Sequence, residues 1–260
     1  MDADPNLSTT AGSLHPEDRF GFWRAFRRLW RDSIRHYGLP KTLKQTAQAL
    51  WRLLLEYLPG RRKTKFGDLD YDFDHMVDTT RANVGFRTQL FAALTGHQYF
   101  PTEPWLFEEI MSALPINSDQ FTFIDLGSGK GRVLVMASAY PFRKIIGVEF
   151  MPGLHQAALE NIARLPADVR GVCSFESLCM DARDFRFPPG PLVVYLFNPF
   201  PEPVLAAVLE HLRQSLADHP RPVFLAYRFP EFEALLKKCA WLEKLAGTGQ
   251  WTVYQNRTIR

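Results

Sequence analysis

At 260 residues, with 46% hydrophobic and 23% charged content, the chain has the make-up of a globular protein with one substantial domain plus an appendage. It holds no run of 18 apolar residues, which argues against a spanning helix. Its opening "MDADPNLSTTAGSLHPED" lacks the basic and apolar regions of a secretory signal. The net charge of +3 conceals an asymmetry: residues 1–18 carry −4, residues 19–65 carry 13 Lys and Arg against Asp32 and Glu56, and the remainder carries −4. A basic block is thus attached to a mildly acidic body, a pattern that suits anionic partners or surfaces.

Residues 1–18 are polar and rich in turn formers, and read as a disordered tail. Residues 19–60 read as a basic amphipathic helical hairpin. In its first helix Phe22, Trp23, Phe26, Leu29, Trp30, Ile34 and Tyr37 share one face, opposite Arg24, Arg27, Arg28, Arg31 and Arg35. Gly38-Leu39-Pro40 breaks that helix, and a second runs to "PGRRK". Residues 61–100, including "KFGDLDYDFDHMVDTT", alternate acids with aromatics without a clean period and read as an irregular connector.

From 101 to 260 the pattern becomes regular. Apolar strand-like runs ("FTFIDLG", "KIIGVEF", "SFESLCMDA", "GPLVVYLFNPF", "RPVFLAYRFP") alternate with helical segments, and "WLEKLA" and "GQWTVYQN" close the chain across a Gly-Thr-Gly turn. This predicts an α/β fold of the Rossmann-like kind: a seven-stranded, mostly parallel sheet with the last strand antiparallel, plus the N-terminal hairpin. Cys173, Cys179 and Cys239 form no CxxC pair and read as free thiols of a reducing cytoplasm. The histidines show no metal-ligand spacing, so no metal is expected.

The most informative stretch is "FTFIDLGSGKGRVLV", residues 121 to 135. An apolar strand ends in Asp125, and Gly127, Gly129 and Gly131 follow at every second position before a helix. Glycines there allow a tight turn and close backbone approach to a ligand. The dinucleotide fingerprint G-x-G-x-x-G fails because Arg132 follows Gly131, and the phosphate-loop pattern GxxxxGK[ST] is absent. The spacing present is D-x-G-x-G-x-G.

"DLGSGKGR" resembles the first motif of class I, seven-strand S-adenosylmethionine-dependent methyltransferases, and the resemblance spans about residues 99–260. Preceded by "YFPTEP" (Tyr99 to Pro104), it is similar to the seven-strand protein lysine methyltransferases and to bacterial proteins of the same build, which often carry an acid where Lys130 stands. The resemblance implies S-adenosyl-L-methionine as cofactor. Asp125 and the loop Gly127-Ser128-Gly129 through Gly131 would hold its methionine end, and Glu149 would accept from both ribose hydroxyls. Asp181 would accept from the adenine amino group with the Ala182 backbone nearby. Thr102, otherwise a plain helix N-cap, would lie beside the cofactor's carboxylate.

The acceptor side would be Asn198, Pro199 and Phe200, at the end of the fourth strand. The motif is similar to the Asn-Pro-Pro-aromatic signature of amino-group methyltransferases with one proline missing; read blandly, it is a turn. The resemblance implies an amino-group acceptor, above all a protein lysine. An RNA base or a small metabolite stays open, as does a catalytically silent module that docks partners through its basic helices. For residues 19–65, a cap on the catalytic domain, an anionic membrane surface and nucleic acid all remain open. Localisation is expected to be cytoplasmic, with a peripheral inner-membrane position as the variant.

Overall fold

Alternating burial explains the sheet. In β1 (Thr122–Leu126), Ile124 and Leu126 face one side and Phe123 the other, and both sides are covered. The same holds for β2 (Lys144–Glu149), β4 (Leu192–Phe197) and β5 (Val223–Arg228), whose continuous apolar runs suit strands buried on both faces. The computed structural model describes residues 27–28, 30–32, 34–56, 69–79, 101–167, 169 and 173–257. The tail reading for 1–18, the face assigned to Phe22, Trp23, Arg24, Phe26 and Leu29, and Tyr99 lie outside the described residues.

The strands, completed by β3 (Ser174–Cys179), β6 (Leu242–Gly247) and β7 (Trp251–Asn256), form a seven-stranded sheet of order β3-β2-β1-β4-β5-β7-β6. All neighbours from β3 to β5 pair in parallel, and β7 is antiparallel to both β5 and β6. The predicted Rossmann-like architecture is therefore present, with the reversed last strand. One face packs on α6 (Glu202–Asp218) through Val204, Leu205, Val208, Leu209 and Leu212. The other packs on α3 (Pro104–Ser112) and α4 (Arg132–Ala137) through Leu106, Phe107, Ile110, Val133 and Leu134. Helix α5 (Pro152–Arg164) follows β2, and the short α7 (Glu233–Lys238) follows β5. Strand order reverses between β1 and β4, so the switch point at which such sheets form their ligand crevice lies beyond their carboxyl ends.

Toward the N-terminus, the described residues between 27 and 37 are helical. Gly38, at φ +79°, interrupts them before α1 (Leu39–Glu56), where the sequence predicts a break. The stretch read as an irregular connector contains the short helix α2 (Leu69–Asp74), and residues 71–79 pack onto the domain: Val77 lies against Val135 and Leu165. Among the described residues no helix is long and apolar enough to cross a membrane.

Candidate active site

The crevice begins at the loop after β1. Gly127, Gly129 and Gly131 take φ of 86°, 54° and 80°, a region costly for residues with a Cβ. Gly127 is also sterically required, because a Cβ there would stand 2.3 Å from Pro199 Cβ. The chain leaving β4 is thus seated directly on the glycine loop, which brings Asn198-Pro199 to the same crevice as Asp125. Between the glycines, the Ser128 hydroxyl is buried with no hydrogen-bond partner among the described residues.

Two carboxylates close the loop from below. Glu149, at the end of β2 and 6% exposed, accepts from Gly129 N–H through Oε2 at 2.8 Å and from Met151 N–H through Oε1 at 2.7 Å. Phe150 N–H is a third backbone donor to this carboxylate, which leaves only part of its acceptor capacity free. Asp125, 2% exposed, receives no hydrogen bond among the described residues. Burial pushes its carboxyl well above the ordinary range, and the Glu149 charge pushes it further. Glu149 is raised as well, burial outweighing the backbone N–H groups of Met151, Gly129 and Phe150 that favour its charged form.

A raised carboxyl pKa contributes stability that is fully present below the unfolded value and is lost as pH climbs through the folded one. Asp125→Asn removes that loss. Without ligand at pH 8, the variant is expected to melt above wild type, with the gap narrowing toward about pH 4, the ordinary Asp pKa. Calorimetric melting at stepped pH checks it; a variant that melts lower at pH 8 would contradict the assignment.

The two cations of the loop are accounted for by the former connector. Lys130, its side chain 3% exposed, reaches Asp78 at 3.0 Å. Asn161 of α5 donates to the carbonyls of both Lys130 and Asp78 and accepts from Asp78 N–H. Arg132, 2% exposed, stacks over Tyr71 at 4.2 Å and lies 3.9 Å from Asp72, whose carboxylate is held by Thr79. Residues 71–79 therefore form a charge-matched clamp on "GKGR". Asp72, Asp78 and Asn161 escaped the sequence reading, although acids alternating through "DLDYDFDHMVD" were the available signal: two cations inside a buried motif require partners.

Thr102 does not cap α3; Glu103 occupies the N-cap position, with no side-chain cap bond. Its hydroxyl lies instead 3.0 Å from the Tyr195 hydroxyl, either oxygen being able to donate. Tyr195 is in register with Asp125 on the adjacent strand, and burial, the largest influence on it, keeps it protonated well above its usual range. Glu103 pairs with Arg228 at 3.4 Å, so the segment before α3 is pinned to the ends of β4 and β5. Thr102 consequently stands in the neighbourhood of Asp125.

At the end of β4, Asn198 adopts φ +38°; its Oδ1 accepts from the Tyr227 hydroxyl at 2.9 Å and its Nδ2 donates to Glu231 at 2.8 Å. Pro199 meets Gly127, and Phe200 is partly buried against the α6-side core. Tyr227 and Glu231 were not foreseen.

Asp181 and Ala182 lie at the end of β3, where Ala182 is buried and opens a 3-10 turn capped by Asp181. Both Asp181 oxygens already accept from Arg183, through its backbone N–H, Nε and Nη2. Burial alone would raise the Asp181 carboxyl, but these bonds hold it below its ordinary range. Arg183 Nη1 in turn reaches Asp32 at 2.6 Å, Arg28 lies 3.3 Å from Asp184, and His36 lies 3.6 Å from Glu202. Among the described residues, the first helix thus meets the domain through polar pairs, while Arg27, Arg31 and Arg35 stay exposed.

The strand order and reversed seventh strand are those of the class I, seven-strand S-adenosylmethionine-dependent methyltransferase fold. Comparison with protein-family models finds no match, and comparison with curated proteins finds none. Solved structures with this fold include a glycopeptide N-methyltransferase in complex with sinefungin, 11% identical, covering 68% of this chain and 98% of its own, at a TM-score of 0.47. An RNA methyltransferase from Salinibacter ruber in complex with S-adenosyl-L-homocysteine is 21% identical over 61% of this chain and 94% of its own, at 0.41. A 23S rRNA methyltransferase is 11% identical over 62% and 70%, at 0.42.

Proposed function

We propose that the protein is an S-adenosyl-L-methionine-dependent methyltransferase acting on an amino group, that of a protein lysine. One observation supports this above the others. The Gly127 loop, with a buried and unbonded Asp125 beneath it, abuts Pro199, so a cofactor cradle and an Asn-Pro-Phe edge share one crevice.

The residues suit the cofactor. Asp125, a buried carboxyl lacking a donor, would be held in its charged form by the ammonium of the methionine moiety, and Ser128 Oγ is a second polar atom in need of a partner. The acceptor capacity that Glu149 keeps beyond its three backbone donors suits a ribose hydroxyl. Asp181 and Ala182 would serve the adenine. When bound, the cofactor supplies an electrophilic methyl on a cationic sulfur. The chain's own task is alignment: Asn198, locked on both sides of its amide, and Pro199, seated against Gly127, would orient the acceptor nitrogen. A lysine ammonium near pKa 10.4 must first shed a proton, at about 4–5 kcal/mol at pH 7. Burial beside a cationic sulfur lowers that cost. The protein substrate, or an anionic surface carrying it, would be met by the basic stretch 19–65.

Titration calorimetry with S-adenosylmethionine tests the cofactor; absence of heat at millimolar ligand removes the reading. Radiolabelled methyl transfer into host lysate tests the acceptor. Label released by protease and resistant to nuclease is expected, and the reverse would move the acceptor to RNA.

A further inference from the structure

Asn198 is held by residues outside any motif. Phe197 and Arg228 are in register at the ends of β4 and β5, so the residues that follow them, Asn198 and Phe229, leave the sheet side by side. Both take the left-handed backbone region, at φ +38° and +50°, and the Phe229 side chain is displayed, 56% exposed. The turn is closed by the bond from Glu231 N–H to Phe229 C=O at 2.8 Å. It delivers the Glu231 carboxylate to Asn198 Nδ2 at 2.8 Å, with only one of its two oxygens engaged there.

On the other side of the amide, burial pushes the Tyr227 hydroxyl up to about 12, so it remains a donor to Asn198 Oδ1. The amide can therefore sit only one way round, with nitrogen toward the carboxylate. The Tyr37 hydroxyl, on the helical residues before Gly38, is raised by burial first and then by the charges of Glu202 and Glu231, and Lys41 Nζ lies over its ring at 4.9 Å. The Glu231 carboxylate is thus held on Asn198, the chain neighbour of the Pro199 that abuts the glycine loop.

We propose that Glu231 is the charge-selecting residue of the acceptor site, orienting Asn198 and drawing a cationic amine into the site, where the amine gives up its proton to solvent before it attacks the methyl. This rests on the methyltransferase reading above. A carboxylate at that spot attracts an incoming ammonium and discriminates against neutral or anionic acceptors, and the exposed Phe229 ring, two residues along the chain, offers a face for its alkyl stem.

The test uses the full-length protein and two ligands that differ in charge at the reacting position. Sinefungin carries an amino group on the carbon that replaces the methylated sulfur, so it is cationic there; S-adenosylhomocysteine is neutral. Glu231→Gln keeps an acceptor for Asn198 and removes only the charge. By calorimetry, wild type is expected to prefer sinefungin, and the variant to lose about fivefold of that preference, the effect of one near charge, while its S-adenosylhomocysteine affinity stays within about twofold. An unchanged preference, or an equal loss for both ligands, would overturn the proposal, the latter marking Glu231 as structural. Failure of wild type to bind S-adenosylhomocysteine would instead defeat the cofactor reading itself, and the proposal with it. Unaltered melting of the variant, expected for an exposed side chain, serves as the folding control.

Discussion

Gly127→Ala is expected to abolish nucleoside binding and to lower the stability of the fold. Two independent costs meet at this position. The backbone sits at φ +86°, where a Cβ costs about 1–2 kcal/mol. The new methyl would also overlap Pro199, 2.3 Å away, and overpacking of that kind costs about 1–3 kcal/mol. Together they amount to about 2–5 kcal/mol, against a typical total of about 5–15 kcal/mol for a domain. Denaturant midpoints measure the stability loss, and calorimetry measures the binding loss. Pro199→Gly in the same chain should return the overlap part and leave the backbone part, so the double-mutant cycle separates them. An alanine variant of wild-type stability would show that Pro199 is not seated where the structure has it.

Lys130→Glu is the second large effect. The structure makes it costly, because the substitution buries a carboxylate against Asp78. Removing one member of a buried pair costs about 3–5 kcal/mol, and because the Asp78 side chain is 41% exposed, solvent screening draws the expected loss toward the lower end. Lys130→Met, which keeps the stem and drops the charge, should cost less. Asp78→Lys combined with Lys130→Glu should recover much of the stability by restoring opposite charges. Urea unfolding of the four proteins checks the series, and a double variant no better than Lys130→Glu would mean that the pair contributes nothing. The reading also gives Lys130 a structural rather than a catalytic role: it fastens residues 71–79 over the glycine loop.

The N-terminal helix shows contacts that an amphipathic stripe does not announce. Of its aromatic face, Phe22, Trp23, Phe26 and Leu29 lie outside the described residues, and Ile34 and Tyr37 are half-buried. Among the described residues the polar contacts run through Asp32, Arg28 and His36 to Arg183, Asp184 and Glu202, while Trp30 is 37% exposed. Asp32, one of only two acids in the basic stretch, is the residue that meets Arg183. Amphipathic periodicity reports which residues share a side of a helix; it carries no information about which side the rest of the chain has charges to match.

The strand–helix alternation, the reversed last strand, the glycine junction with Asp125, and Glu149 at the second strand end were all legible in the sequence. Each is written locally, in two-residue burial alternation, in spacing along one turn, or in the position of an acid at a strand's end. What holds those pieces in working order was decided by the tertiary structure alone. Lys130 meets Asp78 across 52 residues, Arg183 meets Asp32 across 151, and Asn198 meets Glu231 across 33. Such pairings depend on which strand ends the crossovers bring side by side. A carboxylate finds its cation through the geometry of the folded sheet, which no local pattern in the chain encodes.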